Sequence, residues 1–120
     1  MMYNIKNMKT LEKNIKKPEY YFFPTYMLNA PVNQTAKIVY MLLINRAFDT
    51  KSRNRRIGRK NQILVRYPLK ELAEDCGRGI TAMKDAVCKL VAEGLIDKCS
   101  WQGMISEFDI HIPEENIEAL

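Results

Sequence analysis

Three residues, Gly77-Arg78-Gly79, separate two apolar stripes that each repeat with the period of a helix. On the first side Leu69, Leu72, Ala73 and Cys76 fall on one face. On the second, Met83, Val87, Leu90 and Val91 do the same, and Gly94 ends the run. Pro68 suits the first turn of a helix, where its missing N–H costs nothing, and Gly77 suits the left-handed stop of the helix it follows. The spacing therefore predicts helices over Leu69 to Cys76 and Ile80 to Glu93. With so short a connection their apolar faces must meet, which predicts a helix-turn-helix.

The flanking segments predict how that pair is completed. Gln62 to Tyr67 has the β-branched content of a short strand. Leu95-Ile96 enters another, Trp101 to Met104 supplies a turn, and Phe108, Ile110 and Ile112 alternate along a return strand closed by Pro113. Upstream, Asn33 is a candidate N-cap for a helix over Gln34 to Phe48. Ala36, Val39, Tyr40, Leu43 and Ala47 form its stripe, yet Ile38, Met41, Leu42 and Ile44 lie off it. A helix apolar on two faces needs two covers. Either the aromatic run Tyr20 to Leu28, read as extended and broken at Pro24, packs on the second face, or a second chain does. The expectation is an α+β fold, a winged helix-turn-helix of three helices, a small antiparallel sheet and a wing hairpin, preceded by an extended segment. Residues 1–18 read as a mobile arm, 19–112 as the domain, with a basic loop over 51–61, and 113–120 as a tail.

The run Leu72, Ala73, Cys76, Gly77, Thr81, Met83, Val87, Leu90, Gly94, Leu95 and Ile96 resembles the winged helix-turn-helix consensus of bacterial DNA-binding proteins. More narrowly, the chain resembles the N-terminal domain of the plasmid replication initiator protein A family of Gram-positive bacteria. Tyr20 to Leu28 matches that family's opening strand and Gln34 to Arg46 its first helix. A polar excursion, a strand and the helix-turn-helix follow in the same order. The resemblance covers residues 19–112. It implies origin binding by a homodimer, with the second helix of the motif in the major groove.

Charge is segregated along the chain. The net charge is +5, yet Lys51, Arg53, Arg55, Arg56, Arg59 and Lys60 put six bases and no acid into ten residues, while residues 61–120 carry six bases against eleven acids. Arg- and Lys-rich blocks hold phosphate through guanidinium forks and counterion release. The basic segment must therefore supply much of any attraction to a polyanion, because Glu71, Glu74 and Asp75 on the first motif helix oppose it. On the second motif helix and its turn, Arg78, Ile80, Thr81, Lys84, Asp85, Cys88 and Lys89 point outward. Arg78 and Lys84 suit guanine edges or phosphate, Thr81 a phosphate or a thymine methyl, and Asp85 a cytosine amine; Lys89 extends the basic face. Trp101 and Gln102 in the wing turn are candidates for the minor groove or the backbone.

Other chemistries find no footing in the sequence. His111 is the sole histidine and reads as a solvated strand residue with no nucleophile beside it. Gly77 to Thr81 lacks the Lys-Ser/Thr ending of a nucleotide-binding loop. Cys76, Cys88 and Cys99 lie 12 and 11 residues apart, which fits neither a disulfide framework nor a zinc site. No enzyme, cofactor or metal is expected. The longest apolar run, Ile38 to Ile44, is seven residues, too short for a bilayer span. The Lys- and Asn-rich Met1 to Lys17 has no apolar core of a signal peptide, so a cytoplasmic location is expected. Double-stranded DNA is the expected partner, with replication proteins as further candidates. The rival readings are a small transcriptional regulator, a protein-interaction module using the acidic motif half, and an accessory subunit binding single strands through Tyr20 to Phe23.

Overall fold

The computed structural model describes residues 5–14, 16–101 and 104–116. Its regular elements are α1 (Gln34–Phe48), β1 (Arg55–Ile57), β2 (Ile63–Arg66), α2 (Leu69–Cys76), α3 (Ile80–Ala92), β3 (Ile96–Trp101) and β4 (Met104–Ile110). The fold is α+β: three helices pack on one face of a four-stranded antiparallel sheet of order β1-β2-β4-β3. Short 3₁₀ turns lie at Ile5–Asn7, Thr25–Met27 and Glu114–Asn116. The α2–turn–α3 pair followed by the β3–β4 hairpin is compatible with a winged helix. No described helix is long and apolar enough to cross a membrane.

The helix boundaries follow from local chemistry. Asn33 caps α1, its side chain accepting from the Ala36 N–H at 2.9 Å. Gly77 ends α2 at φ 71°, with its own N–H and that of Arg78 turned back onto the carbonyls of Glu74 and Ala73. Gly94 closes the turn after α3 at φ 74°. Pro68 stands one residue earlier than expected, as the N-cap of α2, where its carbonyl accepts from Leu72.

At the centre is α1. Ala36, Val39, Tyr40, Leu42, Leu43, Ile44 and Ala47 are all buried, which is most of its circumference. One side meets Leu72, Met83, Val87, Leu90, Val65 and Phe108 from α2, α3 and the sheet. The other is covered by the chain's own residues: Met27 is fully buried, and Phe23, Tyr26, Ala30 and Val32 pack beside it. No second chain is needed to cover this helix. Hydrogen bonds fasten the cover. The Asn45 side chain both accepts from the Phe22 N–H (3.0 Å) and donates to the Phe22 carbonyl (2.8 Å), and Lys37 donates to the Leu28 carbonyl (2.7 Å). The hydroxyl of Tyr40 donates to the His111 carbonyl (2.7 Å), so the Tyr26 hydroxyl, 2.6 Å away, donates to Tyr40. Burial holds the Tyr40 phenol far above its ordinary pKa, so this chain of donors stays intact.

Two expectations are corrected. The run Tyr20 to Leu28 is not a strand: it pairs with no other strand, because the Asn45 amide already occupies both backbone groups of Phe22, and the 3₁₀ turn Thr25–Met27 follows Pro24. The basic segment is not simply a loop. Arg55–Ile57 forms β1, registered against β2 as Arg55↔Val65, Arg56↔Leu64 and Ile57↔Ile63, so the sheet has four strands rather than three. The tight turn between them uses Asn61 in the left-handed region (φ 61°), and the Gly58 N–H donates to the Gln62 carbonyl at 2.8 Å.

The two turn glycines of the helix pair make different predictions. A Cβ at Gly77 or at Gly79 would meet nothing within 4 Å, so neither is constrained by space. Gly77 is left-handed, whereas Gly79 is extended at φ −78°. Gly77→Ala should therefore lower the unfolding free energy by about 1–2 kcal/mol, while Gly79→Ala should change it by less than about 1 kcal/mol, because the stiffer unfolded chain is offset by alanine's poor fit as the N-cap of α3. Urea unfolding of the two variants beside the parent measures both.

Candidate nucleic-acid interface

Inward residues of α3 fix which side it presents. Met83, Ala86, Val87 and Leu90 are buried, leaving Ile80, Thr81, Lys84, Asp85, Cys88 and Lys89 exposed, together with Arg78 in the turn. Every outward assignment from the sequence is met. Among the described residues none of the side chains of Arg78, Thr81, Lys84, Asp85 or Lys89 forms a hydrogen bond or ion pair, so all five are free to meet a ligand. The first turn of α3 has no side-chain cap. Cys76, the last residue of α2, is partly buried; burial pushes its thiol up, with the Arg78 charge acting the other way.

The six bases of the basic segment separate into two groups. Arg55 turns toward the helices and donates to the Ala47 carbonyl at 2.8 Å, capping the negative end of α1. Arg56 lies on the opposite face of the sheet and forks onto both carboxylate oxygens of Glu107, at 2.9 and 2.7 Å. That pairing raises the Arg56 guanidinium above its ordinary value. Lys51, Arg53, Arg59 and Lys60 are exposed, and their side chains bond no described residue. The unpaired positive charge of the hairpin is therefore carried by these four.

The acids on α2 are also partly engaged. Glu71 pairs with Arg46 at 2.8 Å. Asp75 accepts the hydroxyl of Tyr67, and burial together with that bond holds the Tyr67 phenol well above its ordinary value, with Arg46 acting in the other direction. Arg46 itself lies 3.5 Å over the Tyr67 ring and donates to the Arg66 carbonyl (2.9 Å), joining α1 to the β2–α2 corner. Of the three α2 acids, only the side chain of Glu74 is without such a partner among the described residues. Sequence reasoning missed this role of Arg46, whose side-chain partners are all at least 20 residues away.

The two candidate surfaces are carried by different elements. The sheet runs from β1 at one edge to β3 at the other, and α3 leads directly into β3. Three strand spacings, about 14 Å, separate the two edges. In the wing, Gln102 and the side chain of Trp101 lie outside the described residues.

Comparison with known protein families, with curated proteins and with solved structures finds no match to this chain.

Proposed function

We propose that the chain is a double-stranded-DNA-binding module of the winged helix-turn-helix type. In this reading α3 enters the major groove and the β1–β2 hairpin rests on phosphates. The observation that carries it is the partition of charge. The exposed face of α3 and the hairpin hold bases without protein partners, whereas Arg46, Arg55 and Arg56 are used inside the fold. Arg78 and Lys84 are the candidates for base edges, Thr81 and the uncapped first turn of α3 for a phosphate. Lys51, Arg53, Arg59 and Lys60 supply the attraction that does not depend on sequence. The resemblance to plasmid replication initiators makes a replication-origin repeat the site of choice, with no catalytic step by this chain.

A homodimer on two half-sites one helical turn apart belongs to the same reading. A surface for pairing is the groove of about 330 Å³ lined by Phe22, Pro24, Thr25, Tyr26, Ile44, Phe48 and Ile112. Sedimentation at rising concentration should show a dimer; a monomer throughout removes this part.

Two sets of substitutions should separate affinity from specificity. Changing Lys51, Arg53, Arg59 and Lys60 together to Gln should weaken binding to every duplex alike. It should also flatten the dependence of log K on log salt by about 0.9 for each phosphate no longer neutralised. Arg56→Gln should leave that slope nearly unchanged, because Glu107 already holds this guanidinium. Arg78→Ala or Lys84→Ala should instead cost about 1–3 kcal/mol at the preferred site and much less on random duplex. Titrations of origin-repeat and random duplexes over a salt series measure all three. If the quadruple variant keeps the parent's salt slope, the hairpin does not bind phosphate and the reading fails.

A further inference from the structure

His111 is held unusually firmly for a residue just past the end of a strand. Its N–H donates to the Leu95 carbonyl (2.9 Å), its carbonyl accepts from Tyr40 (2.7 Å), and its Nδ1 lies 2.8 Å from the Gly94 carbonyl. A carbonyl oxygen only accepts, so Nδ1 carries the proton in that bond, and Nε2 of the neutral ring is left with its lone pair. That lone pair faces Asp97 Oδ2 at 3.5 Å and Asp109 Oδ2 at 3.8 Å.

The two carboxylates are also brought together by the sheet. Asp97 and Asp109 are direct cross-strand partners in β3 and β4, a placement in which like charges repel. Three atoms able to ligate a metal thus converge, each within 4.8 Å of the others. Four ligands held tetrahedrally at about 2.0–2.1 Å from a zinc-sized ion stand about 3.3 Å apart. The two histidine–carboxylate separations already approach that value. Exposure of Asp97 leaves its side chain free to close the remaining gap. A ligating histidine whose second nitrogen is fixed by a backbone carbonyl is the arrangement that orients metal-binding imidazoles.

We propose that Asp97, Asp109 and His111 form a binding site for one divalent transition-metal ion of the zinc class, at the root of the β3–β4 hairpin. One imidazole and two carboxylates suit a borderline ion, with water completing its coordination. Bound there, the ion relieves the Asp97–Asp109 repulsion and ties both strands to the turn at Gly94 that ends α3. The site is independent of the DNA-binding reading. It also departs from the sequence expectation of no metal, because Asp97 and the pair Asp109 and His111 become neighbours only through the strand register.

Zinc titration of the full chain, followed by NMR of the His111 ring and by calorimetry, tests this. One ion per chain should bind, shifting the His111 ring resonances. Asp97→Asn and Asp109→Asn should each weaken binding by about tenfold or more, with the metal-free melting curve showing that both variants fold. Cys99→Ser should bind zinc like the parent, as should Asp85→Asn on α3. An unmoved His111 ring, or affinity unchanged in Asp97→Asn, would overturn the proposal. So would loss of binding in Cys99→Ser, which would assign the metal to an exposed thiol instead.

Discussion

The structure depends on a helix that is apolar around most of its circumference. Buried on two sides, α1 cannot lie at the surface of a small domain without a second cover. The chain supplies that cover from residues just before the helix, Phe23 to Val32, and fastens it through Asn45, Lys37 and the Tyr26–Tyr40–His111 series of hydrogen bonds. The opposite side of α1 then becomes the floor on which α2, α3 and the sheet assemble. The inward face of α3 is fixed by that packing, so its outward face is fixed too. Presentation of Arg78, Thr81 and Lys84 is a consequence of how α1 is buried.

Charge is divided by the same packing. Arg46 stacks on Tyr67 and pairs with Glu71 at the corner between β2 and α2; Arg55 caps α1; Arg56 forks onto Glu107 across the sheet. Each guanidinium meets an oxygen or a ring that the fold places beside it, and these interactions join separate elements. The remaining bases have no such work inside the protein. Counting charges along the chain would treat all six bases of residues 51–60 as one polyanion-binding block. The structure leaves four for that purpose and turns two into structural contacts, while two of the three α2 acids, Glu71 and Asp75, are occupied in turn.

Legibility in the sequence tracked the range of the determining interaction. The α2–α3 pair, its outward residues and the Asn33 and Gly77 caps are set by neighbours within a turn or two, and the apolar period reveals them. Strand β1 was not legible because Arg55-Arg56-Ile57 has too much charge to read as part of a sheet; it forms because each Arg finds its oxygen on the appropriate face. The Gly58 and Asn61 turn residues were the available signal for that hairpin. The family resemblance implied an opening strand over Tyr20 to Leu28, yet the decisive partner of Phe22 is a side-chain amide 23 residues on. The Asp97, Asp109 and His111 cluster was hidden for the same reason, since only register brings it together.

The central claim, that the exposed face of α3 and the basic hairpin together contact a duplex, is tested most directly by mapping the contact on the intact chain. Backbone amide NMR shifts recorded during titration with a duplex carrying an origin repeat should concentrate in two separated segments, 78–89 and 51–61. Shifts gathered elsewhere, with both segments unchanged while the duplex is bound, would contradict the account.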